Sequence, residues 1–261
     1  MGNKFKLLFL LTIIALSGCG KVPASTSDTK IVGGTKVTTT DPIIKSTVAL
    51  VMPDGFQFCT GSLIAPRVVV TASHCLADYT ETKLYVAFGP TAKPGYFATA
   101  RLRTATRLVV NPNFDTAAMD ADVATSPPND VALVLLSADA PAGYAAVPML
   151  GLTDTITAGE TLTLAGFGLT SYLATSAGVL RKVDVKMTAV DTVAKEVEFG
   201  DTPGKSACMG DSGGPAFVKR AGKLKLLGVT SRGSSHCDSS GIYTDLRYFR
   251  SWLSATAGTS I

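Results

Sequence analysis

The chain has 261 residues, enough to bury a full core either as one large all-β unit or as two small domains. Its formal net charge of +4 overstates any basic surface, because Lys4, Lys6, Lys21 and Lys30 lie in the first 30 positions with Asp28 as the one acid among them, and the remainder is close to neutral. Only 17% of the residues are charged, so a nucleic-acid-binding face has no support, and the cluster Lys219, Arg220, Lys223 and Lys225 around Ala221-Gly222 reads as a solvated hairpin tip.

The first predicted element is an address rather than part of the fold. MGNKFK supplies positive charge, LLFLLTIIAL is an apolar run too short to span a bilayer as a stable helix, and Ser-Gly-Cys follows. Leu16-Ser17-Gly18-Cys19 resembles a bacterial lipobox, in which the cysteine is lipid-modified and becomes the new N-terminus. That reading makes 1–18 a signal peptide and 19–30, small and polar, a flexible tether. No other segment is long and apolar enough to cross a membrane, which leaves Cys19 as the only membrane attachment. Export permits disulfides. Five cysteines are an odd number, but with Cys19 set aside Cys59, Cys75, Cys208 and Cys237 remain, and they allow three pairings.

From Ile31 onward short apolar runs alternate with turn residues. STVALVM, RVVVTAS, KLYVAFG, ATRLVV, VALVLLS, ETLTLAGFG, KLLGVTS and GIYTDL each have strand length and β-branched content. The polar stretch from Asp115 to Asn129 reads as one long loop. Clear helical spacing is confined to DLRYFRSWLSA, Asp245 to Ala255, which puts Leu246, Phe249 and Leu253 on one face. The pattern predicts an all-β protein with a C-terminal helix and no internal repeat.

The chain has two histidines. His74 ends a strand-like run in VVVTASHC, and His236 lies in the loop GSSHC. Asp130 opens the apolar NDVALVLL, where a carboxylate is costly to bury unless a donor such as an imidazole N–H meets it. Ser212 lies in CMGDSGGPAF among Gly210, Gly213 and Gly214. Side chains stripped from around one hydroxyl suit a loop that presents a nucleophile beside bare N–H groups, and they also suit a tight turn. Serine attacks well only when a base takes its proton and a carboxylate orients that base; His74, Asp130 and Ser212 supply the three parts. GDSGG also fits the nucleophile elbow of α/β-hydrolases, where an acid lies between serine and histidine. Between Ser212 and His236 there is no Asp or Glu, and no alternating strand–helix pattern surrounds them.

TASHC, NDVAL and GDSGGP, in that order, resemble the three motifs of the chymotrypsin-like serine proteases. IVGG (Ile31 to Gly34), CTGSLIAPRVVV, GFG (Gly166 to Gly168), TSRG (Thr230 to Gly233), GIYTDL and the Trp-bearing closing helix extend the resemblance over nearly all of 31–261. It implies two antiparallel six-stranded β-barrels, 31–145 and 146–261, with the C-terminal helix after the second. They would meet at a cleft, with His74 and Asp130 from the first and Ser212 from the second. It further implies Ser212 as nucleophile, His74 as base, Asp130 as its orienting acid, Ser231 steadying Asp130, and the N–H groups of Gly210 and Ser212 as the oxyanion hole. The implied disulfides are Cys59–Cys75 and Cys208–Cys237. Asp211 would pair with the α-amino group of Ile31 freed by cleavage after Lys30, making the tether an activation peptide. No cysteine is left to retain that peptide, so one cut would both activate the enzyme and release it from Cys19.

The same resemblance puts Ser206 at the base of a specificity pocket and Gly233 and Gly241 on its walls, with Ser231 beside them. An open, uncharged slot suits Phe, Tyr, Leu or Met at the cleaved position, so another, trypsin-like protease would have to cut after Lys30. Arg232 stands where the family usually has Trp and either favours acidic residues upstream of the cut or points to solvent. Phe167 replaces another usual Trp, and Ser240 a usual Pro. Phe88 to Val110 holds no Asp or Glu, so the family's calcium loop lacks its ligands, and no metal or cofactor is expected. The expectation is an exported, monomeric endopeptidase acting on proteins and peptides, made as a cell-envelope lipoprotein zymogen and periplasmic or extracellular once cut. Two other readings share the fold: a binding module that has lost activity, and an esterase or acyl transferase.

Overall fold

The computed structural model describes residues 31–79, 83–93, 101–119, 128–175, 177–200 and 202–261. The expected signal peptide, Cys19, the tether and Lys30 lie outside these residues, as does 120–127 of the polar loop.

Six strands close the first barrel: β2 (Thr47–Val51), β3 (Gln57–Ala65), β4 (Val68–Thr71), β5 (Tyr85–Ala87), β6 (Leu102–Val110) and β7 (Ala132–Leu136), in the order β2-β3-β4-β7-β6-β5. β2 and β4 are buried at every position, so they read as continuous apolar runs rather than as alternating ones. The period-2 geometry nonetheless sorts their side chains. Val48, Leu50, Val69 and Val134 fill the barrel, while Ala49, Val51, Val68, Val70 and Leu133 face the other way into a second core. That second core lies between the barrels and also takes Phe167, Phe217, Leu226 and Val229.

The second barrel closes from β8 (Thr161–Gly166), β9 (Arg181–Asp191), β10 (Glu196–Gly200), β11 (Pro215–Arg220), β12 (Lys223–Gly233) and β13 (Gly241–Asp245), every pairing antiparallel. A two-residue strand β1 (Thr35–Lys36) adds to β9 opposite Arg181 and Lys182. The first described segment, expected with the first barrel, therefore belongs to the second, and Ile31 sits 1% exposed in that barrel's core. The basic cluster is the tip of the β11–β12 hairpin, whose turn residues Ala221 and Gly222 both have positive φ (49° and 75°), the conformation a two-residue hairpin loop demands.

The C-terminal helix begins one element later than its periodicity suggests. Asp245 ends β13, and its carboxylate accepts from Arg247 N at 3.0 Å. Leu246–Phe249 then form a 3-10 turn before the α-helix over Arg250–Ala257, which stops at Gly258 in the left-handed conformation. Leu246, Phe249 and Leu253 are buried together, as their spacing predicts, and cap the core between the barrels. In the polar loop Asp115 caps a short helix, Thr116–Met119.

Candidate active site

His74 follows the end of β4, in a turn held by Ser73. The Ser73 hydroxyl donates to Val131 O at 2.8 Å and accepts from Asn111 N at 3.3 Å, which ties this turn to the segment that carries Asp130. Asp130 is fully buried, and three donors converge on its carboxylate. Oδ1 accepts from the His74 backbone N–H at 2.9 Å; Oδ2 lies 2.8 Å from His74 Nδ1 and 2.7 Å from the Ser231 hydroxyl. Its backbone carbonyl accepts from Thr244 Oγ1 at 2.9 Å. A carboxylate only accepts, so Nδ1 carries a proton and Nε2, with Cys75 Sγ 3.9 Å away, is the ring nitrogen left for base chemistry. The His74 side chain is 27% exposed. Ser231 and Thr244 belong to the second barrel, so the carboxylate is clamped from both.

The Ser212 loop docks on the first barrel by its main chain. Ser212 O accepts from Thr60 N at 2.8 Å, and Gly213 N donates to Thr230 O at 2.8 Å. A Cβ on Gly213 would fall 2.0 Å from Thr71 Oγ1 and 2.8 Å from Ala72 N, so only glycine lets the loop lie against the end of β4, three residues before His74. Gly210 adopts φ +92°, and its carbonyl is pinned by Gln57 Nε2 at 2.9 Å and Thr60 Oγ1 at 2.8 Å. Cys208, Asp211, Gly213 and Gly214 spend their N–H groups within the protein. Those of Gly210, Ser212 and the exposed Met209 have no acceptor among the described residues. Gln57, Thr60 and Thr244 were not singled out by their sequence pattern; each acts on a backbone carbonyl far along the chain.

Asp211, beside the serine, is 2% exposed and accepts from Gly168 N at 2.8 Å and Cys208 N at 2.9 Å. The GFG motif makes room for it: Cβ atoms on Gly166 and Gly168 would fall 2.2 Å and 2.6 Å from its side chain. Burial pushes its carboxyl up to about 7; the two N–H bonds and the charge of Arg181 offset this only in part.

Next to Ser212 opens a pocket of about 290 Å³, lined by Ser206, Ala207, Met209, Ser231, Gly233 and Gly241 among others. Ser206 is 1% exposed and turns its hydroxyl to Ala207 O at 2.9 Å. Gly233 and Gly241 line this pocket, and their missing side chains make room for protein rather than for the slot. A Cβ on Gly241 would fall 2.4 Å from the buried Phe199 ring, and one on Gly233 3.0 Å from Ser240 O; the missing side chains admit protein neighbours. Arg232 follows neither expected course. It forks onto Glu196 of β10, Nη1 to Oε1 at 2.6 Å and Nη2 to Oε2 at 3.0 Å. The disulfides are Cys59–Cys75 and Cys208–Cys237, the pairing that the resemblance implies. One ties β3 to the His74 turn and the other ties the Ser212 loop to the pocket's outer loop. His236 is exposed in that outer loop, beside Ser235 and the Tyr172 ring.

The family model described as Trypsin matches residues 31–253. The chain is 35% identical over 199 residues to a trypsin of Saccharopolyspora erythraea, covering 72% of this chain and 80% of that one. It is 27% identical over 265 residues to kallikrein-14 of Homo sapiens, covering 96% and 93%. With hypodermin-B of Hypoderma lineatum it shares 29% over 221 residues, covering 78% and 79%. A family match over most of the chain, on two closed six-stranded barrels, makes this chain a member of the trypsin family of serine proteases.

Proposed function

We propose that the protein is a serine endopeptidase made as an inactive precursor, with Ser212, His74 and Asp130 as its triad. The observation that supports this reading is the hydrogen-bond line Ser231–Asp130–His74, which holds Nδ1 and leaves Nε2 to act as the base, on a turn that follows the end of β4 against which the Ser212 loop packs. In the reaction Nε2 takes the hydroxyl proton as Ser212 Oγ bonds to the scissile carbonyl carbon, and the free N–H groups of Gly210 and Ser212 receive the oxyanion. One such donor is typically worth about 3–4 kcal/mol. Collapse breaks the C–N bond, and the imidazolium returns its proton to the leaving amine. Water then repeats the sequence on the acyl-enzyme, with His74 again as base, and frees Ser212.

Substrate choice follows from the pocket. Among the described residues its lining holds no acid, and Arg232, the one ionisable side chain there, is already paired, so cleavage after large apolar or aromatic residues fits better than cleavage after Lys or Arg. Protein and peptide substrates, a single protomer, and no metal or cofactor complete the reading.

Activation by a cut after Lys30 draws on two observations. Asp211 is a buried carboxyl whose charge is only partly offset, the environment that a new α-amine at Ile31 would complete. Ile31 itself is held at φ +40°, a strained value for a β-branched residue, and cutting the preceding peptide bond removes that torsion altogether. Cleavage would also part the domain from lipidated Cys19, moving it from the cell envelope to the periplasm or medium. A fluorophosphonate probe tests the chemistry: the cut protein labels at Ser212, and the uncut precursor labels far more slowly. No labelling of the cut form would leave a binding module instead, and turnover of esters alone would leave an esterase. Ile31→Gly in the cut form should fold and react weakly; full activity in that variant removes the activation step from the reading.

A further inference from the structure

Arg232 occupies a commanding position. It lies on β12 between Ser231, which bonds Asp130, and Gly233, which walls the pocket, and the same strand holds the Ser212 loop through Gly213 N to Thr230 O at 2.8 Å and Thr230 N to Gly214 O at 2.8 Å. A peptide that puts one side chain in the pocket and its carbonyl at Ser212 must run past residues 231–233. A lone guanidinium there would attract acidic substrates and repel basic ones.

The charge is not left alone. Glu196 pairs in the sheet with Thr244 and Arg232 with Ile242, so the two side chains meet diagonally across β13. Their fork-to-fork contact uses both carboxylate oxygens and two guanidinium nitrogens. The side chains are 5% and 20% exposed. Burial pushes the Glu196 carboxyl up, and the charges of Asp191 and Asp130 push the same way; the Arg232 hydrogen bond and charge oppose them. Arg232 cannot swing toward a substrate without leaving a buried carboxylate uncompensated near Asp130, so its charge is committed inward.

We propose that Glu196 is a specificity-determining residue that masks Arg232, keeping the wall beside the substrate chain electrically neutral so that acidic, neutral and basic residues upstream of the cut are accepted alike. This inference rests on the endopeptidase reading above and identifies its upstream preference.

The test uses the cut enzyme and three peptides that differ at one upstream residue, Ala, Glu or Lys, with kcat/KM for Glu and Lys each divided by that variant's own Ala value. Wild type should treat all three within about twofold. Glu196→Gln exposes the cation and should favour Glu over Lys by about fivefold or more, a preference that fades as ionic strength nears about 1 M, where the screening length is about 3 Å. Glu196→Asp, which keeps the carboxylate, should stay near the wild-type ratio. Wild type that already favours Glu tenfold, or a folded Glu196→Gln with an unchanged ratio, overturns the masking while leaving the protease reading intact. If Glu196→Gln does not fold, the wild-type ratios and Glu196→Asp still decide. No hydrolysis of any peptide by cut wild type, together with no fluorophosphonate labelling, fails the protease reading and this one with it.

Discussion

Two buried carboxylates, Asp130 against His74 and Asp211 next to Ser212 in the chain, are satisfied in opposite ways. Asp130 receives an imidazole, a hydroxyl and a backbone N–H, with partners from both barrels, and its burial is compensated before any substrate arrives. Asp211 receives two backbone N–H groups within the second barrel, and burial leaves its carboxyl near 7. The difference separates a finished site from one awaiting a cation. An acid whose partners are all in place can serve each turnover, whereas an acid left short of charge can serve as the receiver of a single event, such as the cut proposed after Lys30.

The largest way to break this comparison is to make the two acids alike. Asp130→Asn keeps the shape but removes the acceptor that fixes the Nδ1 proton, so His74 turns its protonated nitrogen toward the serine. A loss of about 10⁴-fold in kcat/KM is the size typical of that change in this family. Steady-state kinetics on a peptide ester measures it, and a loss below tenfold would mean that Asp130 does not orient the base. The variant should still fold, because Ser231 and the His74 N–H can bond to the new amide.

A smaller effect separates the two acids by pH. The folded, uncut chain holds a proton on Asp211 up to about 7, while the unfolded chain releases it near 3.8. Between those values the folded state binds more protons, so precursor stability falls as pH rises from about 4 to about 7, by up to about 4 kcal/mol. After cleavage the α-amine favours the carboxylate, and the fall should vanish. Urea midpoints of Ser212→Ala protein at pH 4.5 and 7.5, before and after the cut, compare the two forms. Equal pH slopes would show that Ile31 does not reach Asp211.

Asp130 was legible because it opens the NDVAL motif and Asp211 because it adjoins Ser212 in GDSGGP, and the strands β2, β4 and β7 were legible because both of their faces are buried in apolar cores. β9 hid for the opposite reason. Val183, Val185 and Met187 point inward while Lys182, Asp184 and Lys186 point outward, and the charges break up any apolar run. The clamps on the site were invisible on other grounds. Gln57 and Thr60 hold Gly210 O, and Thr244 holds Asp130 O; bonds to carbonyls more than 100 residues away leave no side-chain pattern to read. Glu196 carried no signal either, since its partner Arg232 lies two strands across the sheet. The N-terminal segment went to the wrong barrel because strand pairing, not chain order, decides where Thr35 and Lys36 lie.

Glu196 is another buried acid and sharpens the comparison at the smallest scale, because its side-chain compensation comes from Arg232 alone. The pair is asymmetric: Arg232 keeps 20% of its side chain exposed and Glu196 only 5%. Removing the carboxylate leaves a guanidinium that can turn to water, whereas removing the guanidinium strands a carboxylate that cannot. Arg232→Ala should therefore cost about 3 kcal/mol at neutral pH, and Glu196→Gln about 1 kcal/mol. Lowering the pH should recover part of the Arg232→Ala loss as the Glu196 carboxyl takes up a proton, and should do little for Glu196→Gln. Denaturant midpoints at two pH values measure both. Equal costs, or a larger cost for Glu196→Gln, would mean that the pair is held by packing rather than by the burial of its acid.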